Sequence, residues 1–104
     1  MLEANSDNFR KEVLESKIPV VVDYFALWCG PCLAMAPTFE SVSKQFTDKI
    51  KFVKCNIDEN QDIASENSIM SIPCLVIYKD GKEEGRLVGN QSEDILVQQL
   101  RTFL

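Results

Sequence analysis

At 104 residues and a formal charge of −5, without a single histidine, the chain has room for one domain and no imidazole for Cys-His or Ser-His catalysis or for a histidine-bearing zinc site. No apolar run comes near the ~20 residues that cross a bilayer, and no Lys/Arg cluster offers the charge that neutralises phosphates, so neither membrane nor nucleic acid is expected as a partner. The opening stretch Met1-Leu2-Glu3-Ala4-Asn5-Ser6-Asp7 lacks the basic start and apolar core of a signal peptide. A mature, cytoplasmic protein is expected, although a processed secreted form would read the same.

In chain order, a short helix is predicted over Asn8 to Glu15, with Ser6 or Asp7 as N-cap and Phe9, Val13 and Leu14 facing inward. Val20-Val21-Val22-Asp23-Tyr24-Phe25 reads as a strand covered on both faces, with Asp23 as its anomaly. From Cys32 to Phe46 the period turns helical: Met35, Phe39, Val42 and Phe46 form one stripe, and Pro37 is expected to kink the segment. Lys51 to Ile57 is a second strand, Gln61 to Glu66 a short helix, and Cys74 to Tyr78 a third strand. Lys79-Asp80-Gly81-Lys82 signals a hairpin turn leading into Glu84 to Val88. A last helix, Glu93 to Phe103, is capped by Ser92 and buries Ile95, Leu96, Leu100 and Phe103. The order α β α β α β β α predicts an α/β fold over residues 1–104: one central mixed β-sheet flanked by helices on both faces. The helical links between the first three strands favour parallel pairing or crossovers.

Four cysteines lie at positions 29, 32, 55 and 74, one close pair and two singles. Trp28-Cys29-Gly30-Pro31-Cys32 falls where a strand ends and a helix begins, so Cys29 faces unpaired N–H groups and the positive end of a helix dipole. Both favour thiolate over thiol. Pro31 suits the first turn, where its missing N–H costs nothing, and Cys32 reaches the same sulfur from inside the helix.

The segment Val22 to Cys32 closely resembles the active-site stretch of the thioredoxin family. The resemblance continues through Ala36-Pro37, Lys54, Asn56-Ile57-Asp58, Ile72-Pro73, Lys79-Asp80-Gly81 and Val88-Gly89. It implies a thioredoxin-like fold and a protein dithiol–disulfide oxidoreductase. The Cys29 thiolate would attack a substrate disulfide to form a mixed disulfide, and Cys32 would resolve it. In this family the attacking thiol is generally found near pKa ~7 against ~8.5 for free cysteine, a family property rather than one read from this chain. Such a shift raises the thiolate fraction at pH 7 about fifteen-fold, while lower basicity weakens the nucleophile about five-fold. Most of the rate must therefore come from positioning and the intramolecular second step.

By the same resemblance Asp23 is a buried acid acting as general base for Cys32, and Lys54 approaches it from the next strand; the alternative is a strand-edge Asp in solvent. Pro73 is expected in cis beside the disulfide, with Ile72 offering its backbone to an extended substrate, against a trans proline opening a strand. Trp28 would cover the disulfide, and Gly30, Pro31 and Gly89 would complete the substrate-facing surface. Cys74, where the family commonly has Thr, puts a third sulfur near the site as a possible extra redox group or an inert small residue; Cys55 reads as a buried hydrophobe. Ser71 replaces a common family glycine beside Met70, which bears on partner preference rather than on the reaction.

No cofactor beyond the dithiol and no metal is expected. The implied partners are disulfide-containing proteins and a thioredoxin reductase as electron donor, with the chain itself a monomer. A four-cysteine zinc module is the competing class, but such sites draw their ligands in two close pairs. A scaffold role would survive Cys29→Ser. An oxidant or isomerase would typically carry a histidine between the cysteines, where this chain has Gly30-Pro31.

Overall fold

A computed structural model describes residues 1–104. Its elements are β1 (Leu2–Glu3), a π-helical turn (Arg10–Leu14), β2 (Val20–Phe25), α1 (Gly30–Gln45), β3 (Lys51–Asn56), α2 (Gln61–Glu66), β4 (Cys74–Lys79), β5 (Lys82–Val88) and α3 (Glu93–Arg101). The five strands form one mixed sheet in the order β1-β3-β2-β4-β5. The expected mixed sheet with helices on both sides is present.

Alternation along the strands sorts the core into two layers. Val20, Val22, Tyr24, Val53, Cys55, Val76 and Tyr78 pack with Phe9, Val13 and Ile63 on one side. Val21, Phe52, Leu75 and Ile77 pack on the other with Met35, Phe39 and Val42 of α1 and with Leu96 and Leu100 of α3. The near-continuous apolar runs of β2 and β4 follow from this double cover.

Several expectations need correction. The first helix is only a π-helical turn, in which the Glu15 N–H reaches the Arg10 carbonyl at 2.8 Å. It is entered through Asn5, whose Oδ1 accepts from the N–H groups of Asp7 and Asn8, and not through Ser6 or Asp7. Ser6 donates instead to the Asp62 carboxylate. β1 had no sequence signal, because two residues carry no period. α1 begins at Gly30 rather than Cys32 and continues through Pro37, with Phe46 just beyond its end. Ile95 is exposed, and the buried stripe of α3 narrows to Leu96 and Leu100.

β3 runs parallel to β2 as expected, but β4 pairs with β2 antiparallel. With β3 parallel and β4 antiparallel to β2, the chain enters β4 at the end where β3 left the sheet, and that end carries the site.

Asp80 and Gly81 both take positive φ (54° and 79°) and join β4 to β5 by a two-residue turn with Lys79 opposite Lys82. A Cβ on Gly81 would also stand 3.1 Å from the Leu14 carbonyl oxygen. Gly81→Ala is expected to destabilise the protein by about 1–2 kcal/mol, read as a lower urea midpoint at unchanged slope.

Candidate active site

The two cysteines meet where β2 gives way to α1. Cys29 is the N-cap of α1 in an extended conformation (φ −88°, ψ 108°), and its sulfur accepts the Cys32 N–H at 3.2 Å. A cysteine thus stands where Ser or Asp usually caps a helix, and its sulfur meets one of the unpaired N–H groups of the first turn. Cys29 and Cys32 form a disulfide across Cα atoms 5.2 Å apart. Both residues are almost fully covered, 4% and 3% exposed, in a small cluster with Ala26 flanked by Phe25, Ile57 and Ile72. Pro31 lies in the first turn of α1, and a Cβ on Gly30 would meet nothing within 4 Å, so the surface at Gly30, between the two cysteines in sequence, is open.

The Ile72–Pro73 peptide is cis, and the Ile72 carbonyl oxygen stands 3.9 Å from Cys29 Sγ. The Gly89 N–H donates to the Pro73 carbonyl at 2.8 Å, with Gly89 at φ 90°. The fold thus joins Gly89 to the Ile72–Pro73 pair, whose Ile72 carbonyl stands beside Cys29.

Trp28 is 70% exposed, so it is not an aromatic packed into the core, and its indole Nε1 donates to Asp58 Oδ2 at 2.8 Å. Asp58 is held for this by the buried Asn56, whose Oδ1 accepts from the N–H groups of Asp58 and Glu59. The sequence marks Asp58 only by its place in the Asn56-Ile57-Asp58 stretch just beyond a strand end, and its bond to Trp28, 30 residues away, has no local signal.

Asp23 alternates with Val21 along β2 and so lies on the sheet face covered by α1. It is fully buried, which rules out the solvent-exposed alternative, and neither carboxylate oxygen has a hydrogen-bond partner. Burial pushes its pKa up to about 6, opposed in part by the Lys54 charge. Lys54 is directly opposite Asp23 in the β2–β3 register, but its ammonium sits 4.5 Å from the centre of the Phe25 ring and makes no ion pair with the acid. The cation is held on the ring face, so it acts on Asp23 only through space.

Cys74 is beside Pro73 in sequence but not in the site. Its side chain is buried with Tyr24, Cys55 and Tyr78 in the other core layer, because the residue after Pro73 opens β4 and faces away. Burial raises both remaining thiols, Cys55 to about 11. The four cysteines thus fall into two separate clusters, and no group of three or more His, Cys, Asp or Glu residues is arranged to hold a metal ion.

Chemically the arrangement holds a closable dithiol at a helix N-terminus with a raised-pKa carboxyl group buried under the same helix. Comparison with known proteins agrees with it. The Thioredoxin family model matches residues 1–102. Thioredoxin 1 of Synechococcus elongatus is 51% identical over 81 residues, 78% of this chain and 76% of that protein. Thioredoxin 1 of Nostoc sp. is 42% identical over 102 residues, covering 98% and 95%. The chloroplastic M-type thioredoxin of Chlamydomonas reinhardtii is 41% identical over 100 residues, covering 96% and 71%.

Proposed function

Since the chain belongs to the thioredoxin family and is a dithiol–disulfide oxidoreductase, we propose that it works as a general reductant of disulfides in other proteins, with Cys29 attacking and Cys32 resolving. The Cys29 thiolate forms a bond to one substrate sulfur and expels the other as a thiolate, giving a mixed disulfide. Asp23 takes the proton from Cys32, and the resulting thiolate attacks Cys29 Sγ. The substrate leaves as a dithiol, two electrons have passed to it, and the Cys29–Cys32 disulfide remains. At pKa about 6, Asp23 is mostly ionised at pH 7, as a proton acceptor must be. Lys54 favours that ionised form through its charge.

The Cys29 sulfur capping α1 is the observation that carries this reading, because an N–H aimed at sulfur stabilises the thiolate. Trp28, Gly30, Pro31, Ile72, Pro73 and Gly89 form the face against which substrate lies. Residues 1–104 act as one thioredoxin-like domain, monomeric and cytoplasmic, with no cofactor beyond the dithiol. The partners are disulfide-bearing proteins and, as electron source, a thioredoxin reductase. No helix is long and apolar enough to cross a membrane.

The reduction potential of the Cys29–Cys32 couple tests the direction of electron flow. Equilibration in dithiothreitol buffers at pH 7 is expected to give a value near roughly −270 mV, the potential general to thioredoxin. A value of roughly −180 to −120 mV would assign an isomerase or oxidant instead.

A further inference from the structure

Arg86 lies on β5, opposite Val76 of β4 and outside the dithiol cluster. Its guanidinium donates to the Asn67 carbonyl at 2.7 Å and to the Ser68 carbonyl at 3.0 Å. The same group is gripped by both Glu83 oxygens, through Nε at 2.9 Å and Nη2 at 2.8 Å. Asn67 is the C-cap of α2 and Ser68 follows it. There the Ser68 N–H returns to Ser65 and the Ile69 N–H to Ala64, with Ser68 at φ 55°, the left-handed turn that helix ends usually give to glycine. A second hold comes from below, where the buried Tyr78 hydroxyl donates to Asn67 Oδ1 at 2.7 Å and itself accepts from Tyr24 at 2.6 Å.

This turn leads straight into Met70-Ser71-Ile72-Pro73. The N–H groups of Met70, Ser71 and Ile72 have no intramolecular acceptor, so the stretch has no hydrogen-bond ladder of its own. Its placement depends on its ends and on the packing of Ile69 and Ile72. One end is the Pro73–Gly89 bond and the start of β4; the other is the Asn67–Ser68 turn. Met70 is 92% exposed, and Ile72 lies beside Cys29.

We propose that Arg86, fixed by Glu83, is a positioning residue for substrate binding: it anchors the Asn67–Ser68 turn and thereby holds Met70–Ile72 where an extended stretch of a substrate protein lies beside the disulfide. The proposal rests on the oxidoreductase reading above. It predicts that a loss at Arg86 is felt by protein substrates and not by small disulfides, which need no such surface.

The test compares insulin with 2-hydroxyethyl disulfide, both reduced by the dithiothreitol-charged protein. Arg86→Ala is expected to raise KM for insulin about five-fold with kcat nearly unchanged, and to leave the small disulfide unaffected. Arg86→Lys should recover part of the loss, since an ammonium can reach the carbonyls but lacks the planar fork that Glu83 grips. Glu83→Gln, which leaves the carbonyl contacts in place, should move KM the same way by less. Amide exchange at Ser68 and Ile69 should quicken in Arg86→Ala. An unchanged insulin KM, or equal slowing of both substrates, would overturn the proposal. If the unaltered protein reduced neither disulfide, the oxidoreductase reading would fall, and amide exchange would still decide whether Arg86 anchors the turn.

Discussion

Cys29→Ser is expected to lower disulfide reduction by at least about 10³-fold, while Cys32→Ser keeps the first attack and stalls as a one-to-one mixed disulfide with the substrate. Exposure does not separate the two cysteines, since both are nearly covered. What separates them is the hydrogen bond. Cys29 Sγ receives the Cys32 N–H and lies 3.9 Å from the carbonyl oxygen of Ile72, whereas Cys32 belongs to the first turn of α1. A serine at position 29 keeps the helix cap and loses the nucleophile, so the fold should survive and activity should not. The adduct of Cys32→Ser would be seen by mass spectrometry and released by added dithiothreitol. Trapping with Cys29→Ser in place of Cys32→Ser would reverse the assignment of roles.

The strand–helix junction was legible in the sequence because two signals coincide there: an apolar run of strand length stops, and a stripe of period 3.6 starts. The Asp-Gly hairpin was legible for a similar local reason, since its two residues adopt the positive φ values that few others tolerate. Other features depend on partners distant in sequence. Nothing near Lys54 in the chain reveals that the Phe25 ring will hold its ammonium, because the two meet only when β2 and β3 pair. Cys74 shows the converse. Adjacency to Pro73 suggested a third sulfur at the site, but the opening residue of β4 faces the layer occupied by Tyr24 and Cys55. Arg86 carried no local signal at all, because the carbonyls it binds are 18 and 19 residues away in the chain.

Asp23→Asn is expected to make the protein more stable at pH 8 by about 3 kcal/mol relative to its effect near pH 4, while impairing the resolving step. The carboxyl group is pushed from 3.8 to about 6 in the fold, so between those values the native state binds more protons than the unfolded chain. Stability therefore falls as pH rises through this window and stays reduced above it, by about 3 kcal/mol for a shift of about two pK units. Below the window the protonated acid and the amide are similar buried, unpaired polar groups, and the two proteins should unfold at similar urea concentrations. Glu12 and Asp62, held below the usual carboxylate range by Lys51 and by Ser6, give the opposite slope, with stability lost as pH falls. Both are common to the two proteins and cancel in the difference. Without its base, Cys32 must lose its proton to water, so reduction at pH 7 should slow by about 10²-fold and lose its inflection near pH 6. Urea unfolding of both oxidised proteins at pH 4 and pH 8 gives the stability term directly. A difference that does not change with pH would mean that the Asp23 charge carries no burial cost, and the general-base role would lose its physical ground.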